Sequence, residues 1–206
     1  MPLHLVTAGK SHGHAIVAVL SGVPAGIALS RDHLSRELSR RRKLIGRSAR
    51  MRLESDDFQI LGGLRHGETT GNPLAFLIPN AEAKEWERLL DPFAPEREKP
   101  LSAPRPGHAD LAGALKFAEL NHDRLLPADI RDVSERASAR ETVARAVAGV
   151  VCKHLLSAVG MEIASFVFQL GRLKLPRRKL HKLMEARSRD ELPLKALKAS
   201  RLLVPD

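Results

Sequence analysis

Two histidines lie beside glycine in segments that have neither helical nor strand periodicity. His12 occurs in the sequence KSHG and His108 in the sequence PGHAD. Glycine lets a ligand approach the backbone closely, and imidazole exchanges protons near neutral pH. A single loop histidine more often has a plain surface role, but two in such similar contexts indicate a site for proton transfer.

Arginines accompany both histidine segments. A guanidinium group matches the geometry of phosphate and carboxylate, so several that converge would bind a small polyanion, whereas dispersed ones would form a solvated basic face. Arg136, Ala137 and Ser138 also lead into a predicted helix, whose free amide groups favour an anion. The arginines in question are Arg40, Arg41, Arg42, Arg47, Arg50, Arg52, Arg105, Arg131, Arg136 and Arg140.

Hydrophobic patterns predict the elements that carry these residues. The runs LHLVT and AIVAVL predict two strands on either side of His12, and residues 58–61 and 74–78 predict a hairpin with a long glycine-rich loop. Ser30 is positioned to cap a helix. Residues 80–104 are rich in proline and charge, which predicts an irregular surface segment.

The clearest predicted element is a helix that begins at the sequence SARE. This sequence fits a capping box, in which Ser138 accepts a hydrogen bond from the amide of Glu141 and the Glu141 carboxylate reaches back. Valines follow at helical spacing, and Gly160 is the predicted stop. A strand over residues 163–170 and a basic tail with one or two amphipathic helices are predicted to follow.

Composition narrows the class of protein. With 43% apolar and 28% charged residues, the chain is expected to fold. It has no apolar run long enough for a membrane span and no leader sequence, which predicts a cytoplasmic protein without a membrane partner. The single cysteine, Cys152, lies in a predicted helix and is expected to be an inert thiol.

The net charge of +10 is concentrated in the tail. Eleven Lys and Arg residues against three acidic residues lie between Arg172 and Arg201, so the rest of the chain is only weakly basic. Aromatic residues make up 3% of the chain and tyrosine is absent, which leaves few side chains that could stack on bases. We therefore expect no nucleic-acid partner.

Six segments together resemble the successive signature segments of the chorismate synthase family. They are TAGKSHG from residue 7, GVPAG from residue 22, the arginine-rich stretch after the first helix, GETTGNP from residue 67, RPGHAD from residue 105 and ERASARET from residue 135. Their order is the family's, and their spacing is close to it. The resemblance covers residues 1–171 well and residues 172–206 loosely. The second range is a basic helical segment that would begin the family's carboxy-terminal portion.

The resemblance implies an α+β fold, in which helices are layered between antiparallel sheets, and assembly as a homotetramer. It implies a lyase of the shikimate pathway of aromatic amino-acid biosynthesis. The reaction is a 1,4-anti elimination of phosphate from 5-enolpyruvylshikimate 3-phosphate, which gives chorismate and requires reduced FMN, with NADPH as a possible reductant of the flavin.

The resemblance also implies roles for individual residues. His12 would act as a general acid toward the departing phosphate, and His108 would control the protonation of the flavin. The implied FMN contacts are Arg136, Ala137 and Ser138. The implied contacts with NADP or the substrate phosphate are Arg41 and Arg47, and further substrate contacts are Ser11, Arg105 and Arg140.

Two features depart from the family pattern. Lys10 stands where the family usually has glutamate, and a positive charge so close to His12 is expected to weaken that histidine as an acid. The segment over residues 117–130 is longer than the family form and would change the loop before the flavin segment.

Two other readings stay open at the level of sequence. The family's carboxy-terminal half is not encoded here, so the chain could be a non-catalytic, truncated member of the same family. A more distant alternative is a metal-dependent hydrolase that uses His12, His14, His108 and Asp110 as ligands.

Overall fold

A computed structural model describes residues 2–43, 50–95, 99–121, 129–163, 165, 167–179 and 181. The elements, in chain order, are β1 (His4–Gly9), β2 (Ala15–Ser21), α1 (Arg31–Lys43), α2 (Arg50–Leu53), β3 (Gln59–Gly62), β4 (Leu64–Arg65), β5 (Glu68–Thr69), β6 (Leu74–Pro79), α3 (Ala83–Trp86), α4 (Asp110–Asn121), α5 (Arg131–Ala137), α6 (Thr142–Ala158), β7 (Gln169–Leu170) and β8 (Leu173–Lys174). A 3₁₀ turn over Ala139–Glu141 leads into α6.

Four strands form one antiparallel sheet in the order β1-β2-β6-β3. Alternate residues of β2 are buried, and Ala18 of this inner face lies opposite Phe76 of β6, which is also fully buried. This period of two places every second side chain toward the helices. The predicted strands on either side of His12 and the predicted hairpin are confirmed, and the hairpin loop contains the small β4-β5 ladder.

Helices α1 and α6 cover the inner face of the sheet. Leu34 and Leu38 of α1 and Val143 and Val147 of α6 are buried at helical spacing in the same core as the inner strand residues. The apolar faces of two helices and one sheet therefore share a single core. The α+β fold class is confirmed. The described residues contain one four-stranded sheet with its helices, which is one side of the layered arrangement that the resemblance implies.

A second, smaller core joins α4, which begins in the His108 segment, to α5, which carries Arg136 and Ala137. Ala114 of α4 is buried against Ile130 and Val133 at the start of α5. At Gly113 a Cβ atom would lie 2.4 Å from Cγ1 of Val133, so any other residue would force the valine side chain or the helices to move. The close packing fixes the position of the His108 segment relative to α5.

Two local predictions were wrong. Ser138 accepts a hydrogen bond from the amide of Arg140, while the Glu141 carboxylate accepts hydrogen bonds from Thr7 and Arg145 instead of reaching back. Of the residues described in the predicted strand over 163–170, only Gln169–Leu170 form a strand, which pairs with Leu173–Lys174.

Other predictions fall partly or wholly outside the described residues. These include the amphipathic helices of the tail beyond residue 181 and the middle of the longer loop, over residues 122–128. Within the described ranges, the helices are too short or too polar to cross a bilayer. Cys152 is partly buried in α6, and burial raises the pKa of its thiol, in keeping with a thiol of low reactivity.

Candidate active site

His12 lies in the connection between β1 and β2 and is held by one carboxylate. Nδ1 of the ring lies 2.8 Å from Oε1 of Glu135, and the backbone amide of His12 donates a 2.7 Å hydrogen bond to Oε2. The Glu135 side chain is only 4% exposed. Burial alone would raise the pKa of Glu135, but the hydrogen bonds from His12 hold it below its ordinary value.

Arg50 of α2 faces the other ring nitrogen of His12. Its Nη1 lies 3.0 Å from Nε2 of His12 and donates a 2.7 Å hydrogen bond to the Ser11 hydroxyl, while Nη2 donates to the Ser11 carbonyl. A guanidinium can only donate and a carboxylate can only accept. The partners therefore assign the proton of the neutral ring to Nδ1 and the lone pair to Nε2.

The segment that follows β6 closes the other side of His12. Oε2 of Glu82 lies 2.7 Å from Nε of Arg50 and 3.9 Å from Nε2 of His12. Trp86 stacks on the imidazole with a centroid distance of 4.2 Å and an interplanar angle of 27°. Residues predicted as an irregular surface segment thus supply one wall of the site and contain the short helix α3.

Ser11 connects this site to the segment before α6. Its side chain is buried and donates a 2.8 Å hydrogen bond to the hydroxyl of Ser138. Arg136 donates to the carbonyl of Gly9 and to the hydroxyl of Thr7, at 3.1 and 2.9 Å. The two segments that sequence reasoning treated separately, around residues 11–12 and 136–138, therefore lie side by side.

His108 has its own carboxylate. Nδ1 of its ring lies 2.6 Å from Oδ1 of Asp110, whose other oxygen accepts hydrogen bonds from Nε and the amide of Arg105. The side-chain hydrogen bond from Arg105 outweighs burial and lowers the pKa of Asp110 to about 2. Asp110 therefore stays ionised at neutral pH and orients the side chains of both Arg105 and His108.

Arg41 and Arg140 belong to a buried ion network beneath the site. Both guanidinium groups contact the carboxylate of Asp56, and Arg140 also contacts Glu54 and donates to the side chain of Asn80. The backbone of Asp56 has a φ of 55°, an uncommon conformation that aspartate tolerates. Arg140 is buried and engaged with protein groups, so the structure gives it a supporting position rather than an exposed one.

The predicted site residues fall into three groups. Ser11, His12, Arg136, Ala137 and Ser138 come together around the β1–β2 connection, whereas His108 and Arg105 form a second centre in the loop just before α4. Arg41 and Arg140 form the third group, and Arg47 lies outside the described residues.

Lys10, which reverses the usual charge, pairs with Asp132 instead of approaching the ring of His12. Its Nζ lies 2.8 Å from Oδ1 of Asp132. Asp132 thus neutralises this cation at the surface. The structure describes both residues and shows no direct contact through which Lys10 would weaken His12 as an acid.

The proposed metal ligands do not converge. Each of His12 and His108 is held by its own carboxylate, and His14 is exposed. Among the residues that the structure describes, no three or more His, Cys, Asp or Glu side chains are grouped as metal ligands. The geometry therefore does not support the hydrolase alternative.

Several functional candidates were missed by the sequence analysis, which named Arg50 only as one of ten arginines. Glu135 immediately precedes a predicted contact residue, and Glu54 has the i, i+4 spacing of a helical ion pair with Arg50. Trp86 is the only tryptophan in the chain. It lies in a charged segment, four residues after Glu82. These signals were present but could not be tied to His12 without the fold.

Comparisons with known proteins agree on one family. The sequence profile described as chorismate synthase matches residues 3–201. The chorismate synthase of Geobacillus thermodenitrificans (strain NG80-2) is 41% identical over 194 residues, which are 92% of this chain and 46% of that protein. The chorismate synthase of Koribacter versatilis (strain Ellin345) is 44% identical over 196 residues, which are 93% of this chain and 48% of that protein.

A solved structure gives the same result. A protein described as "Crystal Structure of Chorismate Synthase" superposes with a TM-score of 0.69 and 33% sequence identity, over 100% of this chain and 49% of that one. The chain thus spans about half the length of the relatives that it matches.

Proposed function

The chain belongs to the chorismate synthase family, and on this premise we propose that residues 1–171 build the amino-terminal part of an active site that eliminates phosphate from 5-enolpyruvylshikimate 3-phosphate. The observation that carries the proposal is the array of Glu135, His12 and Arg50, in which a histidine lies between a buried carboxylate and a guanidinium. This combination suits a leaving group that is anionic and needs a proton.

The elimination breaks the bond between a ring carbon and the phosphate oxygen, and it removes a proton from another ring carbon. The atoms balance as chorismate plus phosphate, with no net oxidation or reduction. A departing phosphate gains negative charge, which a guanidinium stabilises and a proton donor neutralises. Arg50 would stabilise the negative charge, and protonated Nε2 of His12 would donate the proton.

The phosphate would have to replace the contacts that Arg50 now makes. Arg50 pairs with Glu82, and its Nη1 contacts Nε2 of His12. A phosphate between Arg50 and His12 would take the place of the Glu82 carboxylate, which is an anion in the same position. The buried Ser11 hydroxyl accepts from Arg50 and donates to Ser138, so it would become a further donor to that group only if it turned away from Ser138.

Reduced FMN would supply electron density to the substrate when it is bound. The donor set suits such a group, because exposed guanidinium and hydroxyl donors bind the carbonyl and phosphate oxygens of a flavin. Arg136 and Ser138, with the small Ala137 between them, would hold it beside Ser11. His108, oriented by Asp110, would hold a proton at the flavin, and Arg105 would contact the substrate.

Other contacts remain part of the proposal. Arg41 would reach a nicotinamide phosphate or the substrate phosphate only if it gave up its 2.7 Å contact with Asp56, and Arg47 would act with it. Assembly as a homotetramer is proposed from the family. A non-catalytic role of the 206-residue chain by itself is the alternative, since relatives carry about as much sequence again.

A chimera tests the proposal. Residues 1–171 of this chain replace the corresponding segment of the Geobacillus thermodenitrificans chorismate synthase, and chorismate is measured without oxygen in the presence of reduced FMN. We expect flavin-dependent turnover that His12→Ala lowers by about a hundredfold or more. Turnover without flavin, or a folded chimera without chorismate formation, would contradict the proposal. The chain alone is titrated with FMN in parallel, and only weak binding is expected.

A further inference from the structure

We propose that Glu135 is the positioning residue of His12: it keeps the proton on Nδ1 and so reserves Nε2 for exchange with the substrate phosphate. The inference deepens the proposed function and rests on it. Nothing in the sequence resemblance assigned a role to this residue, which lies one position before the predicted flavin contacts.

Glu135 contacts His12 at two places, the backbone amide and the ring. Glu135 accepts a 2.7 Å hydrogen bond from the His12 amide and lies 2.8 Å from Nδ1 of the ring. A carboxylate that binds a backbone amide and the ring of one residue fixes the ring relative to its own main chain. Such outer contacts orient a functional histidine and select its tautomer.

Glu135 can hold its bond through a complete cycle of proton transfer. Nδ1 carries a proton both in the neutral tautomer described above and in the imidazolium, so the carboxylate accepts from it in both states. Nε2 has a lone pair in the first state and a proton in the second. Arg50 can face only the lone pair favourably. The changing proton is thereby confined to Nε2.

The surroundings keep Glu135 available for this role. Its side chain is nearly inaccessible to solvent, and hydrogen bonding to His12 holds its pKa below the ordinary value, so it is ionised at neutral pH. Trp86 stacks on the face of the same ring and limits its tilt. The ring is therefore fixed in direction by Glu135 and in plane by Trp86.

Arg50 also favours the same tautomer, so the test must separate the two contacts. We would label the full chain with ¹⁵N-histidine and measure long-range ¹H–¹⁵N correlations, with His12→Gln to assign the signal. In Arg50→Met, Glu135 acts alone and His12 should keep the proton on Nδ1. In Arg50→Met/Glu135→Ala, the ring should shift to a mixture in which Nε2–H predominates, as in free histidine.

The matched control is Arg50→Met/Asp57→Ala. Asp57 is exposed, so this variant removes an equal charge without touching His12 or Lys10, and the Nδ1–H tautomer should persist. If removal of Glu135 perturbs folding, Arg50→Met/Glu135→Gln keeps the side-chain shape. In that variant the Nδ1 proton signal should move upfield, because a neutral amide is a weaker acceptor than a carboxylate.

Two results would overturn the inference: loss of the Nδ1–H tautomer in Arg50→Met alone, or its retention after Arg50 and Glu135 are both replaced. In the active chimera, Glu135→Ala should lower kcat by about 10- to 100-fold with little change in KM. An inactive chimera with the expected tautomer shift would count against the proposed function only. An active chimera without that shift would count against the positioning role only.

Discussion

Ser134 and Glu135 are consecutive residues of α5, yet they contact different histidine centres. Glu135 holds His12, whereas Ser134 accepts a hydrogen bond from Arg105, which also lies 3.3 Å from both ring nitrogens of His108. One short helix therefore sets the positions of both candidate proton carriers. Any shift of α5 would move the two centres together.

The centre around His108 should make stability depend on acid pH. The pKa of Asp110 falls from 3.8 to about 2 on folding, so its contribution is present above about pH 4 and is lost as the pH falls toward 2. Asp110→Asn should lower stability at neutral pH by about 1.5–3 kcal/mol and flatten the loss between about pH 4 and pH 2. Urea unfolding followed by circular dichroism measures both.

The control for Asp110 is Asp57→Asn, because Asp57 is exposed. This substitution should change neither the stability at neutral pH nor its acid dependence by more than about 0.5 kcal/mol. An unchanged acid profile in Asp110→Asn would show that the contacts with Arg105 and His108 do not stabilise the fold.

Arg140 should matter more for stability than for binding. Its buried guanidinium contacts Asp56, Glu54 and Asn80. Arg140→Met removes one cation from each of two buried carboxylates, which keep their contacts with Arg41 and Arg50, and should cost up to about 3–5 kcal/mol. Arg145→Met is the matched control, since Arg145 is 70% exposed and pairs with Glu141 on the helix surface. Because the pair is solvent-exposed, this variant should unfold at nearly the same denaturant concentration as the wild type.

Equal losses of stability in the two arginine variants would contradict the structural role of Arg140. Chemical denaturation of the full chain gives the comparison directly. The result also bears on the sequence-based expectation that Arg140 contacts substrate, because a folded Arg140→Met variant with altered substrate affinity would support that expectation.

The contact between α1 and α6 should be sensitive to pH near neutrality. Nδ1 of His33 lies 2.6 Å from Nε2 of His154, with Glu37, Arg36 and Lys153 nearby. Burial and the neighbouring His154 hold the pKa of His33 below 6.5, so folding favours its neutral form. This contribution to stability is fully present above pH 6.5 and is lost as the pH falls below that value.

Replacement of the partner histidine tests this dependence. His154→Gln should reduce the loss of stability between about pH 7.5 and pH 5.5, because the protonated His33 is then no longer repelled by the imidazole of residue 154. His14→Gln changes an exposed histidine and should leave the loss as in the wild type. Urea unfolding at the two pH values gives the difference, and an equal loss in all three proteins would contradict the prediction.

The elements predicted from sequence are those whose pattern is local. Strands β1 and β2 and helix α6 have clear periods of two and 3.6, and their buried residues follow that pattern. In the range 163–170, where a strand was predicted, the described residues form only the two-residue strand β7, which pairs with β8. The capping box was wrong because the Glu141 carboxylate accepts hydrogen bonds from Thr7 and Arg145, and Thr7 is too distant in sequence for a local pattern to reveal.

The centre of the site was less accessible to sequence reasoning. His12 could be found from its glycine-flanked motif, but its carboxylate partner is 123 positions away and its guanidinium partner 38 positions away. Neither distance follows from a helical or strand period. Charged residues such as Glu135 and Glu82 are ordinarily solvated, so only the fold reveals which of them are buried against a histidine.

The contact between Arg50 and Glu82 should compete with phosphate. Because the Glu82 carboxylate lies 2.7 Å from Nε of Arg50, Glu82→Gln should bind inorganic phosphate about five- to tenfold more tightly, the effect of removing about 1 kcal/mol of competing attraction. Trp86 is the only tryptophan and stacks on His12, so its fluorescence reports binding at this position. Glu85→Gln, in the same short helix, should titrate like the wild type. Equal affinities in wild type and Glu82→Gln would show that this carboxylate does not occupy the anion position.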